Sequence, residues 1–250
     1  MTLDLAFFAV AIPAVILAGI SKGGFGSGAS FIATPILALV LPPELAVGIM
    51  LPLLMLIDFG GLNAYWGQWN VIEAKRLILG SLPGVALAAA VWSVANPDVL
   101  RFFIGLIAIG FVVFQISRTK GWIAPPSRPA GAIAGFIAGA TAGFTSFISH
   151  AGGPPATIYL LSRGLSKTEY QATTVIVFLM INIAKAVPYT FLGIFTGPSL
   201  LAGLYLAPAA LLGTWLGVRA HTAIPEKTYF AVTYVLLSAA GAKLIFDAVT

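Results

Sequence analysis

Ser21-Lys-Gly-Gly-Phe-Gly-Ser-Gly28 interrupts an apolar segment near the N-terminus, and Ser149-His-Ala-Gly-Gly-Pro-Pro155 interrupts another about half a chain later. A helix break inside a bilayer exposes backbone N–H and C=O groups, which is tolerable only where protein or a water-filled cavity satisfies them. Two Gly/Pro-interrupted segments at matching places in two halves point to a ligand site between the halves. The two breaks therefore set the expected fold: broken helices meeting near the middle of a membrane domain.

Composition puts that membrane domain on firm ground. The 250 residues are 59% hydrophobic and 8% charged, with a mean hydropathy of +1.01. Soluble domains carry about 25% charged residues, whereas runs of about 20 apolar residues cross a bilayer as helices. The formal charge of +5 comes from scattered Lys and Arg, mostly between apolar runs, so it is no nucleic-acid footprint. With no cysteine, disulfides and thiolate metal ligation are excluded. The apolar start from Leu3 to Ile20 follows Asp4 rather than a basic region and leads into glycines rather than a cleavage site, so it reads as retained.

Apolar runs lie near 5–20, 29–41, 44–66, 73–94 and 98–117, and again near 130–148, 156–163, 168–194, 199–217 and 227–247. The expectation is an all-α membrane protein of about eight to ten segments. It divides into a first repeat (1–117), a polar cytoplasmic linker (118–129) and a second repeat (130–250). The second run of each half is too short to span alone, so each Gly-rich region forms a broken helix or a re-entrant pair. The halves align weakly: Gly28 falls on Gly153, Glu44 on Glu169 and, after one residue of slip, Asp58 on Asn182. Lys75, Arg76, Arg118, Lys120, Arg128, Arg163, Lys167, Arg219 and Lys227 fall on one side if five segments alternate per half. Because Lys and Arg accumulate on cytoplasmic loops, the linker is expected inside, both termini outside, and the second repeat inverted.

Ionisable groups within the apolar stretches are few: Lys22, Asp58, His150 and Lys185. A charge at mid-bilayer costs roughly 2.5–3.5 kcal/mol on insertion scales, so such groups face a cavity or a partner. Two lysines and an imidazole suggest an anion, and helix N-termini after the glycines offer N–H groups to its oxygens. The candidate binding set is Lys22, Gly23, Gly24, Ser27, Gly28, Ser149, His150, Gly152, Gly153, Asn182 and Lys185, with Ser30, Ser146 and Thr157 as further hydroxyl donors. Asp58 and His150 are candidate proton carriers. Plainer readings compete: Lys22 snorkelling, Lys185 paired with Asp58, His150 as a helix cap, the glycines as close-packing residues, and Asn63 and Asn182 as inter-helix hydrogen bonds. Trp66, Trp69, Trp122 and Tyr65 fit an interfacial aromatic belt.

Gly19-Ile-Ser-Lys-Gly-Gly-Phe-Gly-Ser-Gly28 with Pro35, and Phe147-Ile-Ser-His-Ala-Gly-Gly-Pro-Pro155 with Leu165-Ser-Lys-Thr-Glu169, resemble the two halves of the sulfite exporter TauE/SafE permeases. The resemblance covers essentially the whole chain. It implies a multi-pass permease of the bacterial inner membrane for sulfite, sulfoacetate, other organosulfonates or related organic acids, and leaves direction open. The leading expectation is thus a secondary carrier that binds a small anion near the midplane by alternating access, with a proton or Na+ as the candidate coupling ion. No Gly-x-x-x-x-Gly-Lys-Ser/Thr phosphate loop is encoded, and no cofactor, metal or nucleic-acid partner is expected. A passive anion channel is the alternative. An intramembrane hydrolase using Ser146 or Ser149 with His150, and a structural or sensory membrane protein, are the further readings.

Overall fold

The computed structural model describes residues 3–25, 27–123, 130–223 and 226–250. Arg128 and the side chains of Ser27, Asn63 and Lys227 lie outside what it describes. The first half contains α1 (Leu5–Ile20), α2 (Ala33–Ala38), α3 (Pro43–Ala64), α4 (Val71–Val94) and α5 (Pro97–Thr119). The second contains α6 (Ala132–Ser149), α7 (Gly153–Leu161), α8 (Lys167–Phe191), α9 (Gly197–Ala223) and α10 (Glu226–Val249). No strand occurs among the described residues, and eight of their helices are long and apolar enough to cross a membrane.

Local chemistry starts these helices where the sequence changes character. Asp4 caps α1 by accepting from Phe7 N at 2.9 Å, Asn70 caps α4 through Glu73 N at 3.1 Å, and Asn96 caps α5 through Val99 N at 2.8 Å. Ser166 and Glu169 form a reciprocal capping box at α8. Proline stands at the start of α3 and α5, where its missing N–H costs no hydrogen bond.

The two short helices, α2 and α7, rise only about 9 and 14 Å at 1.5 Å per residue, against a hydrocarbon core about 30 Å thick. Each turns back. Arg163 Nη1 donates to Ala130 O at 2.7 Å, bringing the end of α7 beside the start of α6. In the first half, a groove of about 440 Å³ is lined by Asp4, Phe7 and Val10 together with Val40, Leu41 and Leu45, so the end of α2 lies beside the start of α1. Both broken pairs are therefore hairpins whose two ends lie side by side. Hairpin one opens where α3 begins and hairpin two where α3 has ended and α4 begins, so they enter the bundle from opposite ends.

The two hairpin tips differ. In hairpin one the described tip residues form a π-helical turn (Ser21–Phe25) and a 3-10 turn (Ser27–Ile32). Hairpin two has a true break, with His150 in the left-handed region at φ 59°. The tip of hairpin one packs against α7.

The main long-helix contacts are kept when the halves are exchanged, whereas α2 packs on α5 and α10 without an equally extensive counterpart for α7. α1 packs on α9 as α6 packs on α4, α3 on α9 as α8 on α4, and the pairs α3/α8 and α5/α10 map onto themselves. The two long crossings rest on glycine. A Cβ at Gly213 would sit 2.5 Å from Ile16 O, one at Gly80 would sit 2.5 Å from Phe136 O, and Gly84 lies closer still to Ala140 O. Small residues of this kind let transmembrane backbones approach where no hydrophobic force separates lipid from protein.

Overpacking a close crossing costs about 1–3 kcal/mol. Gly84→Ala is therefore expected to lower the thermal midpoint of the detergent-solubilised protein. Gly110→Ala, on α5 with no atom within 4 Å of its would-be Cβ, is expected to leave it unchanged or raise it. Equal melting of the two variants would mean that the α4–α6 crossing is looser than described.

Candidate functional site

The paired helices α3 and α8 carry Asp58 and Asn182, which meet directly: Asn182 Nδ2 donates to Asp58 Oδ2 at 2.8 Å across a sequence separation of 124 residues. The aligned positions of the two halves thus touch. Lys22 reaches in from the π-helical turn and places Nζ 2.6 Å from Asp58 Oδ1, with side-chain exposures of 10% and 1%. Asp58 is therefore paired with Lys22, and not with Lys185 as one reading of the sequence held.

Lys185 follows Asn182 by three residues and lies on the same helical face. Its amino nitrogen is fully buried, donates to Ser146 O at 3.0 Å and lies 2.9 Å from Ser146 Oγ and 2.8 Å from His150 Nδ1. All three partners are neutral, and no carboxylate lies within ion-pair distance of it among the described residues. His150 Nε2 faces Val47 O at 3.1 Å. Because a carbonyl only accepts, Nε2 carries the hydrogen and Nδ1 is the acceptor facing Lys185.

Four sequence candidates, Lys22, Asn182, Lys185 and His150, converge here with Asp58, and Ser146 joins them. The other described candidates make these contacts. Gly23 and Gly24 press against Thr214 O and Gly217 O of α9, so they permit the α1–α9 approach. Gly152 lies against α6, its would-be Cβ 2.8 Å from Ala142 O. Ser149 is buried, but its hydroxyl donates back to Thr145 O at 3.3 Å. Gly153 opens α7, and Pro154 and Pro155 then remove two of the first-turn N–H groups that an oxyanion would need. Gly28 lies within the 3-10 turn. Neither Ser146 nor Ser149 presents its hydroxyl to the His150 ring, both of whose nitrogens are engaged elsewhere, so the hydrolase reading finds no nucleophile–base pair.

Tyr189 was missed, although it stands one turn beyond Lys185 on the same face. It is fully buried, and its hydroxyl donates to Phe147 O at 2.6 Å. It sits in a run of edge-to-face rings, Trp92–Phe147–Tyr189–Phe195, with centroids 5.9, 4.9 and 5.7 Å apart, which backs hairpin two's tip. A second polar cluster lies at the linker end. Buried Glu73 accepts from Arg76 at 3.0 Å, from Arg163 Nε at 2.9 Å and from the Tyr159 hydroxyl, tying α4 to α7.

Removing one partner of a buried ion pair costs about 3–5 kcal/mol, because the other charge is left uncompensated. Asp58→Asn is thus expected to destabilise strongly, and Lys22→Met combined with Asp58→Asn to recover much of the loss. Lys185→Met combined with Asp58→Asn is expected to recover none. Thermal melts of the four proteins check the pairing, and rescue by the Lys185 change instead would reverse it.

No curated protein and no solved structure matches the chain. A protein-family model, Sulfite exporter TauE/SafE, matches residues 11–244. That match runs from within α1 to within α10 and takes in both hairpin tips, Lys22, Asp58, His150, Asn182 and Lys185. On that coverage the chain belongs to the sulfite exporter TauE/SafE family of membrane transporters.

Proposed function

We propose that this protein is a secondary carrier for a small sulfur-containing anion, sulfite or an organosulfonate such as sulfoacetate, bound between the two hairpin tips with Lys185 as its electrostatic anchor. The observation that carries the reading is the fully buried Lys185 amino group with only neutral partners. Lys22 and Asp58 neutralise each other, so with neutral His150 a protonated Lys185 gives the cluster one uncompensated positive charge. Burying such a charge costs several kcal/mol unless a counter-ion accompanies it, and a bound anion supplies one. Ser146 and Asn182 add donors able to orient its oxygens.

Alternating access follows from the layout. The cluster is closed from both ends in this conformation, with Asp58, Asn182 and His150 2%, 3% and 6% exposed. Hairpins inserted from opposite ends offer two separate routes to the cluster, and opening the linker-end route requires the Glu73 contacts between α4 and α7 to part. A continuously open channel has less support from so enclosed a site. The positive-inside rule assigns the linker end, with Lys75, Arg76, Arg118, Lys120, Arg163 and Lys167, to the cytoplasm of a bacterial inner membrane. The described cations near the opposite end, Arg101 and Lys243, are each paired with an acid on the same helix, Asp98 and Asp247.

A ligand that binds only the folded state stabilises it by about 2.7 kcal/mol at a hundredfold excess over Kd. Thermal melts with sulfite, sulfoacetate, taurine, sulfate, lactate and chloride are expected to show selective stabilisation by a sulfur anion. That stabilisation should be lost in Lys185→Gln and kept in Lys120→Gln. Counterflow in liposomes then separates carrier from channel: saturating exchange supports the carrier, and single-channel currents contradict it.

A further inference from the structure

We infer that Lys185 is the proton carrier of the transport cycle, a neutral amine when the site is empty and an ammonium when an anion is bound, so that anion and proton move together. The inference rests on the anion-site reading above and comes from the chemistry of the partners of Lys185. Ser146 O and His150 Nδ1 can only accept, whereas Ser146 Oγ can accept or donate. An ammonium donates to all three. A neutral amine has two hydrogens and one lone pair: it donates to Ser146 O and His150 Nδ1 and accepts from the Ser146 hydroxyl. Both protonation states therefore keep every hydrogen bond at the same heavy-atom positions, which a carboxylate in place of Ser146 would not allow.

The other titratable groups around Lys185 are each committed. Asp58 on α3 is held by Lys22 and Asn182. His150, capping α6, is fixed by Val47 O, and its Nδ1 faces Lys185 Nζ at 2.8 Å, where an aliphatic amine is ordinarily the stronger base of the two. Tyr189 on α8 itself donates to Phe147 O. Glu73 on α4 and Tyr159 on α7 bind each other at the linker end. The described charges nearest the amine are thus a neutralised pair, and its own protonation is the change the hydrogen bonds accommodate.

The step balances simply. The amine takes a proton from water on the side where the anion arrives, forming one N–H bond as one water O–H bond breaks and hydroxide is left in solution, and the Ser146 hydroxyl turns from donor to Nζ into acceptor. Its hydrogen is then free to bond an anion oxygen. On the other side the anion leaves, the proton returns to water, and the hydroxyl closes on the amine again. The same side chain thereby links protonation to anion recognition.

The test uses the full-length protein in detergent, lightly buffered at an alkaline pH where sulfite is fully deprotonated, with a pH-indicating dye and sulfite as the probe. About one proton taken up per protein at saturating sulfite is the expected result. Lys185→Arg, which keeps the charge and does not deprotonate, should still be stabilised by sulfite but take up no proton. Sulfite stabilisation of the wild type without proton uptake, or equal uptake by Lys185→Arg, overturns this inference and leaves the anion site standing. Absence of any sulfite stabilisation in the wild type overturns the anion site itself and this inference with it. The wild-type count decides the matter even where the arginine variant does not fold.

Discussion

The closeness of two backbones, carbonyl oxygen against glycine Cα, is the constraint on which this structure depends. At the α4–α6 and α1–α9 crossings even one methyl group would collide with a carbonyl of the other half. Lipid tails are as apolar as leucine, so helices inside a bilayer associate through such contacts and through hydrogen bonds. Each crossing holds one leg of a hairpin from one half against a full-length helix from the other. That fixes how deep the hairpin tips reach, and so delivers Lys22 and His150 to the level of Asp58 and Lys185. Without the crossings, the charged side chains would have no reason to share a plane.

The charged centre shows how two aligned halves can differ where chemistry happens. Position 58 holds an acid and position 182 its amide counterpart, and they bond to each other at the α3–α8 pair. The first half supplies its cation from the hairpin tip, while the second supplies its cation from the long helix and a histidine from the tip. One lysine meets a carboxylate and the other meets only dipoles. Lys22 and Asp58 compensate each other, and Lys185 has no carboxylate within ion-pair distance among the described residues.

Much of this was legible in the residues. The two Gly/Pro interruptions, the short segments after them and the few intramembrane charges gave the helical class, the re-entrant option and most of the cluster. Which charge pairs with which was not legible, because cross-helix distances depend on the depth of the hairpins, and that depends on glycine contacts between distant segments. The packing contacts of Gly23 and Gly24 were hidden for the same reason, since a glycine that receives a neighbour's carbonyl looks like any other in sequence. Two signals were readable and overlooked. Tyr189 continues the face of Asn182 and Lys185, and Pro154-Pro155 strips donors from the start of α7. Glu73 lies at the edge of an apolar run, where an acid usually meets water, and only the folded chain brings Arg163 and Tyr159 to it.

The run of rings behind hairpin two has an optical consequence. Of the five tryptophans, Trp92 is 6% exposed, while Trp66, Trp122 and Trp215 are 51–75% exposed. Its indole lies edge-on to Phe147, whose carbonyl accepts the Tyr189 hydroxyl one turn from Lys185. Any shift of the hairpin tip changes the dielectric surroundings of that indole more than those of the lipid- or water-facing ones. The molecule thus contains an intrinsic fluorophore, shielded from aqueous quenchers, that would report any movement of hairpin two without a label.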